Sequence, residues 1–176
     1  MSQTFLDENP PMILDATCSD KRRWPKFASV RLDIRREVFP DIQADACCLP
    51  FRDRVFDAIY VDPPWVKDGG KESKALWELR EAAPLGGRFG GFTKRNQFLK
   101  FIFGINCEFE RCLKSEGRIH MKIGWHPSGS SNGSLLSKHG DIQYLSNFEV
   151  EQEIIRPSNL GWSDCMTSWL TMRPKP

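Results

Sequence analysis

The sequence predicts an α/β fold: a mostly parallel central sheet with helices on both faces, closed by an antiparallel pair of C-terminal strands. Three observations predict it. Short apolar runs in the first third of the chain each end in an aspartate, a long amphipathic stretch follows them, and two alternating segments come last. Strands that alternate with helices are typical of a sheet that is covered on both sides.

Four short strands are expected in the first third of the chain. The strongest is Phe56 to Val61, which is rich in residues that favour strands and is followed by Asp62. The three weaker runs are Met12 to Leu14 before Asp15, Val30 to Leu32 before Asp33, and Ile42 to Ala44 before Asp45. Ligands of open parallel sheets bind outside the carboxyl ends of the strands, so these four acids are expected near a ligand.

The middle of the chain predicts one long helix. Thr93 can cap a helix that runs to about Ser115 and stops at Gly117. Its apolar residues recur every three or four positions, which makes one face suited to a core: Phe98, Ile102, Ile105, Phe109 and Cys112. Before it, 72–83 has the pattern of a short helix, and the glycine-rich segment from Pro84 to Gly91 is expected to be irregular.

The last third predicts three more strands. Arg118 to Ile123 is the first, and the loop from Pro127 to Gly133 and a modest helix up to about Ser146 follow it. Phe148 to Ile155 and Cys165 to Met172 alternate as an antiparallel pair would.

Length and composition indicate one domain over 1–176 with no separate target-recognition domain. The net charge is +2, and no apolar run or signal-like N-terminus indicates a membrane or secretion, so a soluble cytoplasmic protein is expected. The six cysteines and three histidines lack the spacing of a zinc module, so the thiols are expected to be reduced and mostly core-filling, and no metal is expected.

The tetrapeptide Asp62-Pro63-Pro64-Trp65 is the clearest chemical signal. Two prolines fix φ and remove two N–H donors, so the Asp62 carboxylate and the Pro63 carbonyl can both act as rigid acceptors. Trp65 adds a flat π-face. Two acceptors and a stacking surface suit a planar group that carries an NH2. The structural alternative is a rigid turn with a buried tryptophan.

The spacing of the earlier acids fits a nucleotide-like ligand. Asp33 lies 18 residues beyond Asp15, close to the ~20 expected of an acid that binds ribose hydroxyls. Asp45 would then lie at the third strand end, where an adenine amino group could be met.

These residues resemble the S-adenosylmethionine-dependent, Rossmann-like methyltransferases of the amino-methylating group, whose signature is D/N-P-P-Y/F/W. The likeness is carried by four stretches: Ile13 to Cys18, Leu32 to Arg35, Asp45 to Pro50 with Phe56-Asp57, and Asp62 to Lys67. The resemblance implies S-adenosylmethionine as the cofactor and direct in-line methyl transfer to an amine, with no metal and no covalent enzyme intermediate.

The resemblance also assigns residues. It places the acceptor amine and base at Asp62, Pro63, Pro64 and Trp65, and the cofactor at Asp15, Ala16, Thr17, Cys18, Asp33, Ile34, Asp45 and Ala46. One departure is clear: the family has a glycine-rich loop after the first strand, whereas this chain continues Ala16-Thr17-Cys18-Ser19. Without glycine the backbone approaches a ligand less freely.

The substrate implied by the resemblance is an exocyclic amine of a nucleic-acid base, adenine N6 above all, in DNA or RNA. Lys21, Arg22, Arg23 and Lys67 are candidate phosphate contacts, against the alternative of a solvated surface. A protein partner or a second copy could supply target recognition. Two other functions stay open, namely methylation of a protein glutamine and a methyltransferase-like binding subunit without activity.

Overall fold

The computed structural model describes residues 10–18, 25–63, 65–66, 91–92, 95–125, 145–157 and 166–176. Its elements in chain order are β1 (Ile13–Asp15), β2 (Val30–Asp33), a 3-10 turn (Arg36–Val38), β3 (Ile42–Gln43), β4 (Phe56–Val61), β5 (Trp65–Val66), β6 (Gly91–Phe92), α1 (Arg95–Cys112), β7 (Leu113–Trp125), β8 (Phe148–Pro157) and β9 (Met166–Pro174). Seven strands form one sheet in the order β3-β2-β1-β4-β7-β9-β8, and β5 pairs with β6 separately.

The sheet has the predicted mixture of strand directions. Strands β3, β2, β1, β4 and β7 run parallel to their neighbours. Strand β9 is antiparallel to both β7 and β8, which confirms the C-terminal antiparallel pair. Of the predicted helices, α1 is described. The predicted helix 72–83, the predicted loop 127–133 and most of the predicted helix before Ser146 lie outside the described residues.

Helix α1 covers one face of the sheet with the predicted apolar stripe. Ile102, Ile105, Phe109 and Cys112 are each at most 1% exposed, and the side chain of Phe98 is outside the described part. They share one core with sheet residues that include Leu14, Ile59, Ile119, Met121 and Leu170. Because side chains alternate along a strand, Tyr60, His120 and Lys122 point to the opposite face.

The predicted end of the helix is wrong by about three residues. Helix α1 ends at Cys112 and leads directly into β7, so Gly117 is a strand residue and not a helix stop. The carbonyls of Arg111 and Cys112 accept hydrogen bonds from the backbone N–H groups of Arg54 and Val55, at 2.9 and 2.8 Å. Partners distant in sequence therefore end this helix. At Gly117 an added Cβ would lie 2.7 Å from the Leu113 side chain.

One smaller expectation needs correction, and one on the cysteines can be compared with the structure. Gly91, expected in an irregular segment, is a strand residue that pairs with Trp65. Of the five described cysteines, Cys18 and Cys112 are buried and Cys47 packs against the core, so most of them are core residues as expected, whereas Cys48 and Cys107 are exposed. No helix within the described ranges has the length and apolar character that a membrane crossing needs.

Candidate active site

Three of the four strand-end acids come together at one edge of the sheet. Asp15 ends β1, Asp33 ends β2 and Asp62 follows β4, and these strands are neighbours in the order β2-β1-β4. Asp15 and Asp33 are each only 5% exposed. Asp33 and Asp62 each lie two residues beyond the partner of Asp15 on the neighbouring strand, which is Arg31 on β2 and Tyr60 on β4. Asp45 lies beside the outermost strand β3 and is exposed.

Asp15 and Asp33, which end β1 and β2, and Asp45, two residues after β3, each turn the chain with their own side chain. Each accepts a hydrogen bond from the backbone N–H two residues ahead: Asp15 from Thr17 at 3.3 Å, Asp33 from Arg35 at 2.9 Å and Asp45 from Cys47 at 2.9 Å. Such turns are a common use of aspartate at the end of a strand. The repeated pattern of acids in the sequence is therefore partly a turn signal.

Asp62 differs from the other three acids because it cannot make this turn bond. The residues at the next two positions, Pro63 and Pro64, have no N–H to donate. Its carboxylate accepts instead from Lys122, whose Nζ lies 2.6 Å from Oδ2. Its backbone N–H donates to Thr17 Oγ1 at 2.8 Å, which links the end of β4 to the turn after β1. Asp62 is thus the acid of this set whose described side-chain contact is an ion pair with a neighbouring strand.

Lys122 is a candidate site residue that the sequence alone did not predict. The pairing of Val61 with Met121 places Asp62 beside Lys122 across β4 and β7. The Lys122 ammonium also lies 5.6 Å from the centroid of the Trp169 ring, and Lys122 pairs with Trp169 across β7 and β9. The sequence did contain one signal for Lys122, namely a lysine between the apolar residues Met121 and Ile123. Its contact with Asp62 could not be predicted, because it depends on the register of β4 with β7.

Burial raises the pKa of the Asp15 carboxyl to about 7. The hydrogen bond from the Thr17 N–H and the charge of Arg31 oppose this rise, whereas the charges of Asp62 and Asp33 add to it. At neutral pH the carboxyl is therefore close to half ionised. A cationic ligand at this edge would draw it to the ionised form.

The backbone N–H groups of the turn after β1 are hydrogen-bonded within the protein. Ala16 N–H donates to the Tyr60 carbonyl at 2.9 Å and Cys18 N–H to the Leu32 carbonyl at 3.0 Å. With Thr17 N–H on Asp15, all three donors have partners inside the protein. Over Ala16–Cys18, the described part of this turn, a ligand therefore meets the oxygens of Asp15 and Thr17 but no unpaired backbone N–H.

Asp33 forms a bidentate ion pair with Arg35. Besides the backbone bond, Arg35 Nε and Nη2 donate to the two carboxylate oxygens, each at 3.0 Å. A carboxylate has about four acceptor positions, so a ligand hydroxyl would have to share them with this guanidinium. Arg35 Nη1, close to Asp33 at the end of β2, is buried and has no hydrogen-bond partner in the described part of the chain.

The remaining predicted site residues differ in burial, and some of them lie outside the described part of the chain. Ala16, Cys18 and Ala46 are buried, and Ile34 is 62% exposed beside Asp33. Pro63 is buried after β4, and Trp65 lies in β5, although its side chain is not described. The positions Lys21, Arg22, Arg23, Pro64 and Lys67 lie outside the described residues. Among the described residues, no His, Cys, Asp and Glu side chains cluster as a metal site.

Comparison with known proteins identifies the fold. No family model matches the chain, and no curated protein matches it. Among solved structures, a SAM-dependent methyltransferase from Methanosarcina mazei matches with a TM-score of 0.57 at 12% identity, over 94% of this chain and 93% of that one. The chain has the Rossmann-like methyltransferase fold.

Two further structures show how widely this fold is used. The 1,6-didemethyltoxoflavin N1-methyltransferase of Burkholderia thailandensis matches with a TM-score of 0.56 at 13% identity, over 95% of this chain and 72% of that one. The cyclase SpnF matches with a TM-score of 0.50 at 15% identity, over 93% of this chain and 74% of that one. Since one fold serves different reactions, the reaction has to be argued from the site.

Proposed function

We propose that this chain is an S-adenosylmethionine-dependent methyltransferase that acts on an exocyclic amino group of a nucleic-acid base, adenine N6 first. The observation that carries the proposal is the Asp62 carboxylate. It follows β4 at the edge where Asp15 and Asp33 also lie, and neither Pro63 nor Pro64 has an N–H to give it the turn bond that the other acids accept. A carboxylate held in this way can accept a hydrogen bond from an amine.

The residues present suit the proposed cofactor. Its ammonium and sulfonium charges favour the acids at this edge, and its ribose hydroxyls can donate to Asp33. The buried Arg35 Nη1 is a donor for an acceptor atom of the same ligand. When bound, the cofactor supplies an activated methyl group. The protein contributes binding, orientation and exclusion of water, which together remove much of the entropic barrier to transfer.

At the acceptor side, Asp62 and the Pro63 carbonyl would hold the two hydrogens of the amine. As the nitrogen becomes cationic, a nearby carboxylate stabilises the developing charge. Asp62 need not be a strong base, since the proton can leave after transfer. The Trp65 ring would stack on the base, which is a proposal from the motif alone.

A polynucleotide substrate is proposed on the basic residues Lys21, Arg22, Arg23 and Lys67, which would contact phosphates. A partner protein or a second copy of this chain would add target recognition. DNA and RNA fit this chemistry equally well. The occupied N–H groups of the turn after β1 favour one second candidate, a binding subunit of the same fold that does not hold the cofactor.

Two measurements separate these functions. Calorimetry with S-adenosylmethionine tests cofactor binding, and failure to bind would favour the binding subunit. Methyl-labelled cofactor is then incubated with duplex DNA, single-stranded DNA, RNA, a protein mixture and free adenosine. We expect label in a polynucleotide, recovered as N6-methylated adenine nucleoside. Label confined to protein glutamine, or to adenosine alone, would refute the nucleic-acid substrate.

A further inference from the structure

We propose that Lys122 is a positioning residue for Asp62, and this inference rests on the proposed function. The ammonium of Lys122 would hold the carboxylate in the one orientation that receives the acceptor amine. The contact is short, at 2.6 Å from Nζ to Oδ2, and it is prescribed by the pairing of β4 with β7. Lys122 is not part of the motif Asp62-Pro63-Pro64-Trp65.

The sequence context of Asp62 leaves a role for Lys122. Asp15, Asp33 and Asp45 are each oriented by a backbone N–H two residues ahead, and Pro63 and Pro64 deprive Asp62 of that bond. The Asp62 side chain is 42% exposed, so packing alone does not fix its rotamer. A charge-assisted hydrogen bond is about twice as strong as a neutral one, and it can take over this role.

Lys122 is itself held in place on the face of the sheet opposite α1. Its ammonium lies 5.6 Å from the centroid of the Trp169 ring, within the distance of a cation–π contact. One layer further from the site, the rings of Tyr60 and His120 stack with centroids 4.4 Å apart. Thr171 Oγ1 and His120 Nδ1 lie 3.3 Å apart. The Lys122 side chain is 29% exposed, so most of it is packed against its neighbours.

The same two strands contain a matched control. Lys114 Nζ lies 2.7 Å from Asp57 Oδ1, again a lysine of β7 with an aspartate of β4. This pair is at the opposite edge of the sheet, and its side chains are 44% and 38% exposed. It has the chemistry of the Lys122–Asp62 pair without its position. Removing it reports what loss of such an ion pair does to stability alone.

The test compares Lys122→Met, Lys122→Arg and Lys114→Met in the full chain. We expect Lys122→Met to lower kcat by about 30- to 100-fold, since small misplacements of reacting groups have effects of that size. The dissociation constant of S-adenosylmethionine should stay within about twofold, because Lys122 touches the acceptor side. Lys122→Arg keeps charge and donors and should restore kcat to within about fivefold of wild type. Lys114→Met should leave kcat unchanged while lowering the melting temperature as much as Lys122→Met.

A crystal structure of each variant gives a readout that does not depend on activity. Wild type should show one Asp62 conformer, and Lys122→Met several. A single unchanged conformer in Lys122→Met, or kcat within about twofold of wild type, would overturn the positioning role. Equal losses of kcat in the Met and Arg variants would also overturn it. If wild type transfers no methyl group but Lys122→Met disorders Asp62, the proposed function fails while the structural role of Lys122 stands.

Discussion

Replacing Asp15 by Asn should stabilise the protein at pH 8 far more than at pH 5. Burial raises the pKa of the Asp15 carboxyl to about 7, whereas an aspartate in an unfolded chain titrates near 3.8. Between these values the folded protein holds a proton that the unfolded chain has lost. The unfolding free energy therefore falls as pH rises, until the folded-state group is itself ionised near pH 7.

The size of the effect follows from the same two values. Each pH unit between them is worth about 1.4 kcal/mol, so the wild type loses about 3 kcal/mol relative to Asp15→Asn between pH 5 and pH 8. Asn keeps a side-chain oxygen for the Thr17 N–H that now bonds to Asp15. Asp45→Asn is the matched control, because Asp45 makes the same turn bond with Cys47 but is exposed.

Urea unfolding followed by tryptophan fluorescence at the two pH values measures this difference. The stability gap between Asp15→Asn and wild type should open with pH, and the gap for Asp45→Asn should stay near zero. Parallel pH profiles for wild type and Asp15→Asn would show that Asp15 is not held in a desolvated site, and the reasoning would be refuted.

Three other predictions concern the cofactor, the base and the packing of α1. Asp33→Ala should weaken S-adenosylmethionine binding at least about tenfold by calorimetry, which asks for only ~1.4 kcal/mol from hydrogen bonds to a carboxylate. Trp65→Phe should keep appreciable transfer activity and Trp65→Ala lose most of it, since stacking on a base is worth ~1–3 kcal/mol; equal rates would make Trp65 a core residue. Gly104→Ala places a Cβ 2.7 Å from Cys47 Sγ. It should lower the unfolding free energy by about 1–2 kcal/mol in urea, with partial recovery in combination with Cys47→Gly.

Local chemistry explains why the strands were predictable. Phe56–Val61 is a mainly apolar run that is followed directly by Asp62. Strands β1 and β2 each end at an aspartate whose side chain accepts a hydrogen bond from the backbone N–H two residues ahead. Such signals lie within two or three residues of the feature they determine. The stripe of α1 was predictable for a similar reason, because its spacing is a property of the helix itself.

Features that depend on distant partners were not predictable. The end of α1 is set by N–H groups of Arg54 and Val55, more than fifty residues earlier in the chain. The contact between Asp62 and Lys122 depends on the register of β4 with β7. The difference between Asp62 and the other strand-end acids was nevertheless present in the sequence, since the next two residues are prolines.

Single-turnover methyl transfer by Asp62→Ala tests the central claim most directly, that this carboxylate receives the acceptor amine. Asp57→Ala is the matched control, because Asp57 forms the corresponding lysine pair at the other edge of the sheet. With labelled cofactor and an adenine-containing oligonucleotide, Asp62→Ala should lower the transfer rate at least about 100-fold and leave cofactor affinity within about threefold. Asp57→Ala should transfer at nearly the wild-type rate. A rate for Asp62→Ala within about fivefold of wild type, or a parallel loss of cofactor binding, would contradict the claim.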